Sequence, residues 1–139
     1  QEGTKMQTIT VSLSAVARSI SSTGKSGHTD YTFLAMPRES GGFASWTRPN
    51  NITDAIITSK VSYGHYSSDR HSSTDLEVAL PVGTLRKTVR KDVRRGSTTE
   101  VERLTADGEW EEVKFVGNKK TASGGWLTVI EIDGQRVEV

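Results

Sequence analysis

Apolar and polar residues alternate with a two-residue period along most of this chain, the pattern of strands half buried on a sheet. Ile9, Val11 and Leu13 alternate with Thr8, Thr10 and Ser12. Tyr31, Phe33 and Ala35 alternate with Thr32, Leu34 and Met36, and Pro37 ends that strand because proline cannot donate to a ladder. Ile57, Ser59, Val61, Tyr63 and His65 lie on one face of a further strand, with Thr58, Lys60, Ser62, Gly64 and Tyr66 on the other. Ser67 to Ser73, carrying Asp69, Arg70 and His71, reads as a polar turn. Leu76, Val78, Leu80 and Val82 then alternate with Glu77, Ala79 and Pro81, the clearest half-buried strand in the chain. Gly83-Thr84 leads into a last strand, Leu85 to Arg95. The stretch from Ala55 to Arg95 is thus expected to be three consecutive antiparallel strands.

The final third is expected to be mostly β as well. Thr99 to Thr105 fits a strand, although Ser97-Thr98-Thr99-Glu100 also has the spacing of a helical capping box. Asp107-Gly108 and Asp133-Gly134 are tight hairpin signals. Trp110 to Val116 and Trp126 to Ile132 read as strands, with Asn118 to Gly125 as a loop between them. No segment sustains a helical apolar period. The expected fold class is mainly β: an antiparallel meander sheet with a C-terminal β-hairpin extension and at most one short helix. Met6 reads as an initiator, so residues 1–5 are expected to be a tag or a disordered tail. Residues 6–139 are expected to form one domain, with the sheet in 6–96 and a dimerisation or packing arm in 97–139.

Charge is segregated although the net charge is only +1. Residues 86–95 hold six Lys or Arg against Asp92, while residues 100–112 hold six Asp or Glu against Arg103. In a strand, Arg86, Thr88, Arg90 and Arg94 share one face, with Asp92 among them, and Lys87, Val89, Lys91, Val93 and Arg95 share the other. A row of guanidinium groups on a sheet suits a phosphate backbone, and basic edge strands also serve simply to block unwanted pairing. Hydrophobic residues make up 33% of the chain, a thin core that a second copy would help to complete.

Candidate chemistry is sparse. The absence of Cys excludes disulfides, thiolate metal sites and cysteine nucleophiles. Gly24-Lys25-Ser26 lacks the earlier Gly of a phosphate-binding loop, since position 19 is Ser. His28, His65 and His71 lack metalloprotease spacing, and no Gly-x-Ser-x-Gly elbow exists. His65, Asp69 and His71 around one turn would be the only candidate for a small hydrolase or nuclease site, and a solvated turn is the better reading. No run of residues is apolar enough to span a membrane. These points favour a binding or assembly protein over an enzyme, with no cofactor and no metal.

The order of features from Met6 to Arg95 resembles that of the coat proteins of single-stranded RNA bacteriophages. The residues that carry the likeness are a hairpin of Thr8–Ile20 and Tyr31–Met36, then Met36-Pro37-Arg38, and a loop with Gly42-Phe43-Ala44-Ser45. The three strands follow, with Lys60-Val61-Ser62-Tyr63 and Leu76-Glu77-Val78-Ala79-Leu80-Pro81-Val82 at their centre. The resemblance implies a homodimer that self-assembles into an icosahedral capsid around single-stranded RNA, located in the virion and assembled in a bacterial cytoplasm. On that reading Lys60, Ser62, Arg86, Thr88, Arg90 and Arg94 meet phosphate and Tyr66 stacks on an unpaired base. The chain departs from the family after residue 96. The family ends in two helices that lock the dimer, whereas Asp107-Gly108, Asn118 and Gly124-Gly125 interrupt any helix here. The alternative expectation, from residues 100–139, is a monomeric SH3-like or Tudor-like barrel that binds a peptide or nucleic acid.

Overall fold

The computed structural model describes residues 7–52, 56–66 and 69–139. Its strands are β1 (Thr8–Ser21), β2 (Gly27–Ala35), β3 (Ile57–Tyr66), β4 (Asp69–Pro81), β5 (Leu85–Asp92), β6 (Gly96–Leu104), β7 (Trp110–Lys120), β8 (Trp126–Ile132) and β9 (Gln135–Glu138). All belong to one open antiparallel sheet of nine strands in the order β3-β4-β1-β2-β5-β6-β7-β8-β9. Among the described residues the only helical element is a 3-10 turn, Pro49–Asn51. The protein is therefore mainly β, as the alternation predicts.

The connectivity differs from the expected meander. β3 and β4 pair, but β4 and β5 do not: β4 pairs with β1, and β5 lies between β2 and β6. Alternation fixes which residues a strand buries, but not its neighbour. Of the turn expected at residues 67–73, Asp69 to Ser73 belong to β4, and residues 67 and 68 lie outside the described residues. Gly96 to Leu104 is a strand and not a helical turn, and β7 runs on to Lys120. Residues 97–139 continue the sheet of their own chain through the β5–β6 pairing.

One irregularity shapes the molecule. β1 pairs with β4 along its length, but its register slips between Ser14 and Val16. It pairs with β2 only from Val16 to Ile20. Before this bulge β1 leaves β2 and lies across the far side of the sheet. There Val11, Leu13, Leu76, Val78 and Leu80 pack with Leu34, Ile52 and Leu104 in one buried core. A Cβ on Gly108 would come within 3.4 Å of Ile9 Cγ2, which shows how closely β1 crosses the β6–β7 turn.

A second core lies on the opposite face of β2, β5 and β6. Ala35, Leu85, Val101, Val113, Ile130 and Val139 are buried there beneath Phe43 and Trp46. β6 pairs with β7 only from Val101 to Leu104, and the rest of β7 pairs with β8 alone. The last strands curl over this core, so that Thr128 of β8 reaches Lys87 of β5. Because Val101, Val113 and Ile130 depend on Ala35, Leu85, Phe43 and Trp46, residues 97–139 expressed alone should be unfolded, giving collapsed amide dispersion by NMR. In the full chain, Leu80→Ala should cost about 2–5 kcal/mol in a denaturant titration, because this side chain is fully buried.

Candidate nucleic-acid interface

Residues directly opposite one another in neighbouring strands share a face. One cross-strand row runs Ser62, Thr74, Val16, Tyr31, Val89, Thr99. On the other face Leu34 stands beside Arg86 and Glu102, and Asp30 beside Arg90 and Thr98. The predicted site is therefore divided. Lys60 and Ser62 lie on β3, Lys60 directly opposite Leu76, which packs in the core with Leu34. Arg86, Thr88 and Arg90 lie on β5, on the face away from Tyr31 and separated from β3 by β4, β1 and β2. The backbone of Tyr66 pairs with Arg70, and its side chain lies outside the described residues, as do those of His65 and Asp69.

The expected guanidinium row is taken up by internal partners. Arg86 Nη2 donates to Glu102 Oε1 at 2.6 Å, and its guanidinium lies 4.3 Å from the Trp110 ring centroid. Arg90 grips both carboxylate oxygens of Asp30, at 2.8 and 3.0 Å. A cleft of about 200 Å³ beside Arg90 is lined by Asp30, Thr88, Thr98 and Glu100, so it offers a polyanion two carboxylates for one guanidinium. Arg94 lies beyond the end of β5, where its Nε donates to the Lys25 carbonyl at 3.1 Å. Asp92 ends the strand by accepting the backbone N–H groups of Arg94 at 2.9 Å and Arg95 at 3.0 Å.

The other face of β2 and β5 has a different composition. Three cations and three rings interleave there. Lys91 Nζ lies 5.5 Å from the Tyr31 centroid, and the Arg48 guanidinium lies 5.8 Å from Tyr31 and 6.0 Å from Phe33. Lys87 Nζ follows at 5.4 Å from Phe33 and 4.6 Å from Trp46. Tyr31 and Phe33 share this face because they are two residues apart on β2, and Lys87 and Lys91 stand opposite Phe33 and Thr29. Arg48 and Trp46 arrive from the loop after β2. Where β1 has left, Leu34 and Thr47 exchange backbone hydrogen bonds of 2.8 and 2.9 Å, which seats that loop as an added edge.

Among the described residues, no carboxylate lies within ion-pair distance of Arg48, Lys87 or Lys91. Lys87 donates to Thr128 Oγ1 at 2.9 Å, and burial pushes its ammonium pKa down. The alternation of Lys87 and Lys91 was visible in the sequence. The pairing of Arg90 with Asp30, sixty residues apart, was not. Comparison with known proteins adds no assignment: no family model, no curated protein and no solved structure matches the chain.

The Asp92 turn carries its own pH signature. Its two backbone N–H donors hold the carboxylate below the usual aspartate value of about 3.9. A folded-state pKa below the unfolded one stabilises the fold above the unfolded value, and that contribution is lost as pH falls through the folded one. An NMR titration should place Asp92 below the reference value, and Asp92→Asn should abolish the acid-side loss at this turn.

Proposed function

We propose that the protein is a non-catalytic structural subunit that binds RNA along one face of its sheet and assembles in multiple copies, in the manner of a phage coat protein. The observation that carries the reading is the concentration of Arg48, Lys87 and Lys91 on a single face, with no compensating carboxylate among the described residues. Phosphate supplies the missing negative charge, and each neutralised phosphate releases counterions, which makes such binding salt-dependent. The RNA contact thus moves from the Arg86–Arg90 side to its reverse.

Assembly is supported by the outer edge of β3. It spans ten residues and, among the described residues, no strand pairs with it. Val61 is 44% exposed, and the strand contains no Pro and a single Lys. Edges of this kind invite pairing with another copy. The two dimer-locking helices of the resembled family have no counterpart after residue 96, so any dimer would rest on strand pairing.

A monomeric binding module is the second reading, favoured by the curl that brings Thr128 to Lys87. Size-exclusion chromatography with light scattering and negative-stain imaging of the full chain separate the two. Coat function predicts dimers or shells with retained nucleic acid; a nucleic-acid-free monomer near 15.2 kDa would overturn it. Arg48→Glu with Lys91→Glu should reduce the retained nucleic acid and flatten its salt dependence. Arg86→Ala should lower stability and leave retention unchanged. Lys87→Met should weaken binding while leaving the melting temperature unchanged or raised, because it removes a cation that burial disfavours.

A further inference from the structure

We propose that the fork between β6 and β7 is a docking site for an extended peptide in which basic and apolar residues alternate, added to the sheet as an extra strand. The site uses none of the residues assigned to RNA and goes beyond that reading. β6 pairs with β5 from Gly96 to Arg103, but with β7 only from Val101 to Leu104. Beyond Val101 the two strands part. A cavity of about 440 Å³ opens there, lined by Thr99, Glu100, Val101, Glu112, Val113 and Phe115 among others.

Backbone direction along β6 shows what the fork offers. The backbone of Leu104 donates to Thr84 and accepts from Gly83, on the β5 side, whereas the Thr105 N–H donates to Glu109, on the β7 side. Successive residues of a strand turn their N–H and C=O groups to opposite edges. Ser97 and Thr99 therefore aim theirs into the fork, where nothing among the described residues pairs with them. An extended peptide completes such an edge with main-chain hydrogen bonds, while its side chains give specificity. The two arms of the fork are unlike. The β7 arm carries Lys114, Lys119 and Lys120 and a bulge between Phe115 and Gly117, features that guard an edge against pairing. Gly96 to Glu100 on β6 has no Lys, Arg or Pro. The receptive edge is that of β6.

The side chains around the fork define the chemistry of its occupant. Alternation puts Thr99 on one face with Val101, and Val113 stands directly opposite Val101. Phe115 follows Val113 two residues on and is half-buried on the same side. The other face holds Glu100 and, opposite Glu102, Glu112. Both are exposed, and neither has an ion-pair partner among the described residues. The nearby cations are already engaged: Arg86 with Glu102, Arg90 with Asp30, and Lys114 with Glu131 at 3.6 Å. A strand seated against β6 thus meets apolar surface on one side and two unneutralised carboxylates on the other. Its own side chains must alternate between apolar and basic to suit both. Gly96 to Glu100 spans about 17 Å, room for a strand of about five residues.

The test uses the full chain, freed of nucleic acid by nuclease and high salt, and fluorescence anisotropy with a labelled Lys-Val-Lys-Val-Lys peptide. Two control peptides accompany it. Lys-Lys-Lys-Val-Val keeps the composition without the alternation, and the alternating peptide N-methylated at every amide lacks backbone donors. The alternating peptide should bind at least about tenfold more tightly than either control. Thr99→Pro removes an N–H that β5 does not use, so it should lose roughly tenfold in affinity while circular dichroism stays that of the unaltered chain. Glu100→Gln with Glu112→Gln should weaken binding and flatten its salt dependence. Equal binding of all three peptides would reveal mere attraction of a polycation to acidic surface and overturn strand addition. Absence of binding, or a folded Thr99→Pro variant that loses nothing, would overturn it too, and the control peptides decide the matter even where that variant does not fold. If Thr99→Pro turns a dimer into a monomer by light scattering, the edge belongs to a second copy of this chain, and the peptide site is overturned. None of these outcomes touches the RNA-binding reading, which rests on other residues.

Discussion

Strand β1 cannot stay paired with both β4 and β2 along its whole length, and much of the molecule follows from where it lets go. At the Ser14/Val16 bulge it keeps β4 and abandons β2. Two consequences come from this single departure. The freed half of β1 carries Val11 and Leu13 across the sheet to Leu34 and Leu104, which closes the first core. The vacated edge of β2 is then satisfied by Thr47, since backbone donors and acceptors left unpaired there would be costly. Thr47 brings Trp46 and Arg48 with it. The ring-and-cation face is thus a by-product of how the sheet repairs its own edge.

The two faces of β5 show how register converts one basic strand into two different surfaces. On one side, β2 and β6 present Asp30, Glu100 and Glu102, and the guanidinium groups of Arg86 and Arg90 are neutralised in place. On the other, the same neighbours present Tyr31, Phe33, Thr99 and Val101. The half-exposed Arg90 pair contributes little to stability and the part-buried Arg86–Glu102 pair contributes more, and together they decide the surface this side offers. One face is electrostatically complete, while the other carries cations without counterions among the described residues.

Much of the local structure was legible in the sequence. The period-two runs at Ile9–Leu13, Tyr31–Ala35 and Leu76–Leu80 mark real strands, and Asp107-Gly108 and Asp133-Gly134 mark real turns. Asp133 even adopts a positive φ of 51°, as a tight hairpin of this type asks. What was not legible was long-range pairing. The alternation of β4 and β5 is the same whether they pair with each other or with β1 and β2, so adjacency in sequence does not establish adjacency in the sheet. The same limit holds at the site: a row of guanidinium groups on one strand face suits a phosphate backbone, and nothing local to residues 86–95 reveals Asp30 or Glu102 opposite. A comparison of the acidic residues at alternate positions, such as Glu100 and Glu102, with the Arg alternation would have been the available signal.

The C-terminal strands bear on the same question. They could have formed an independent small barrel, yet their inward residues Val113, Ile130 and Val139 close over Ala35, Leu85 and Trp46 rather than over one another alone. Trp46 Nε1 donates to the Val139 carbonyl at 3.2 Å, which ties the loop after β2 to the strands at the far end of the chain. That tie also fixes the Trp46 ring against Lys87, and Thr128 fixes the ammonium from the other side. The last third of the chain therefore acts as the backing of the ring face. Loss of this backing would release Lys87 into water, where a lysine is an ordinary cation, and the chemistry that distinguishes this face from any basic surface would be gone.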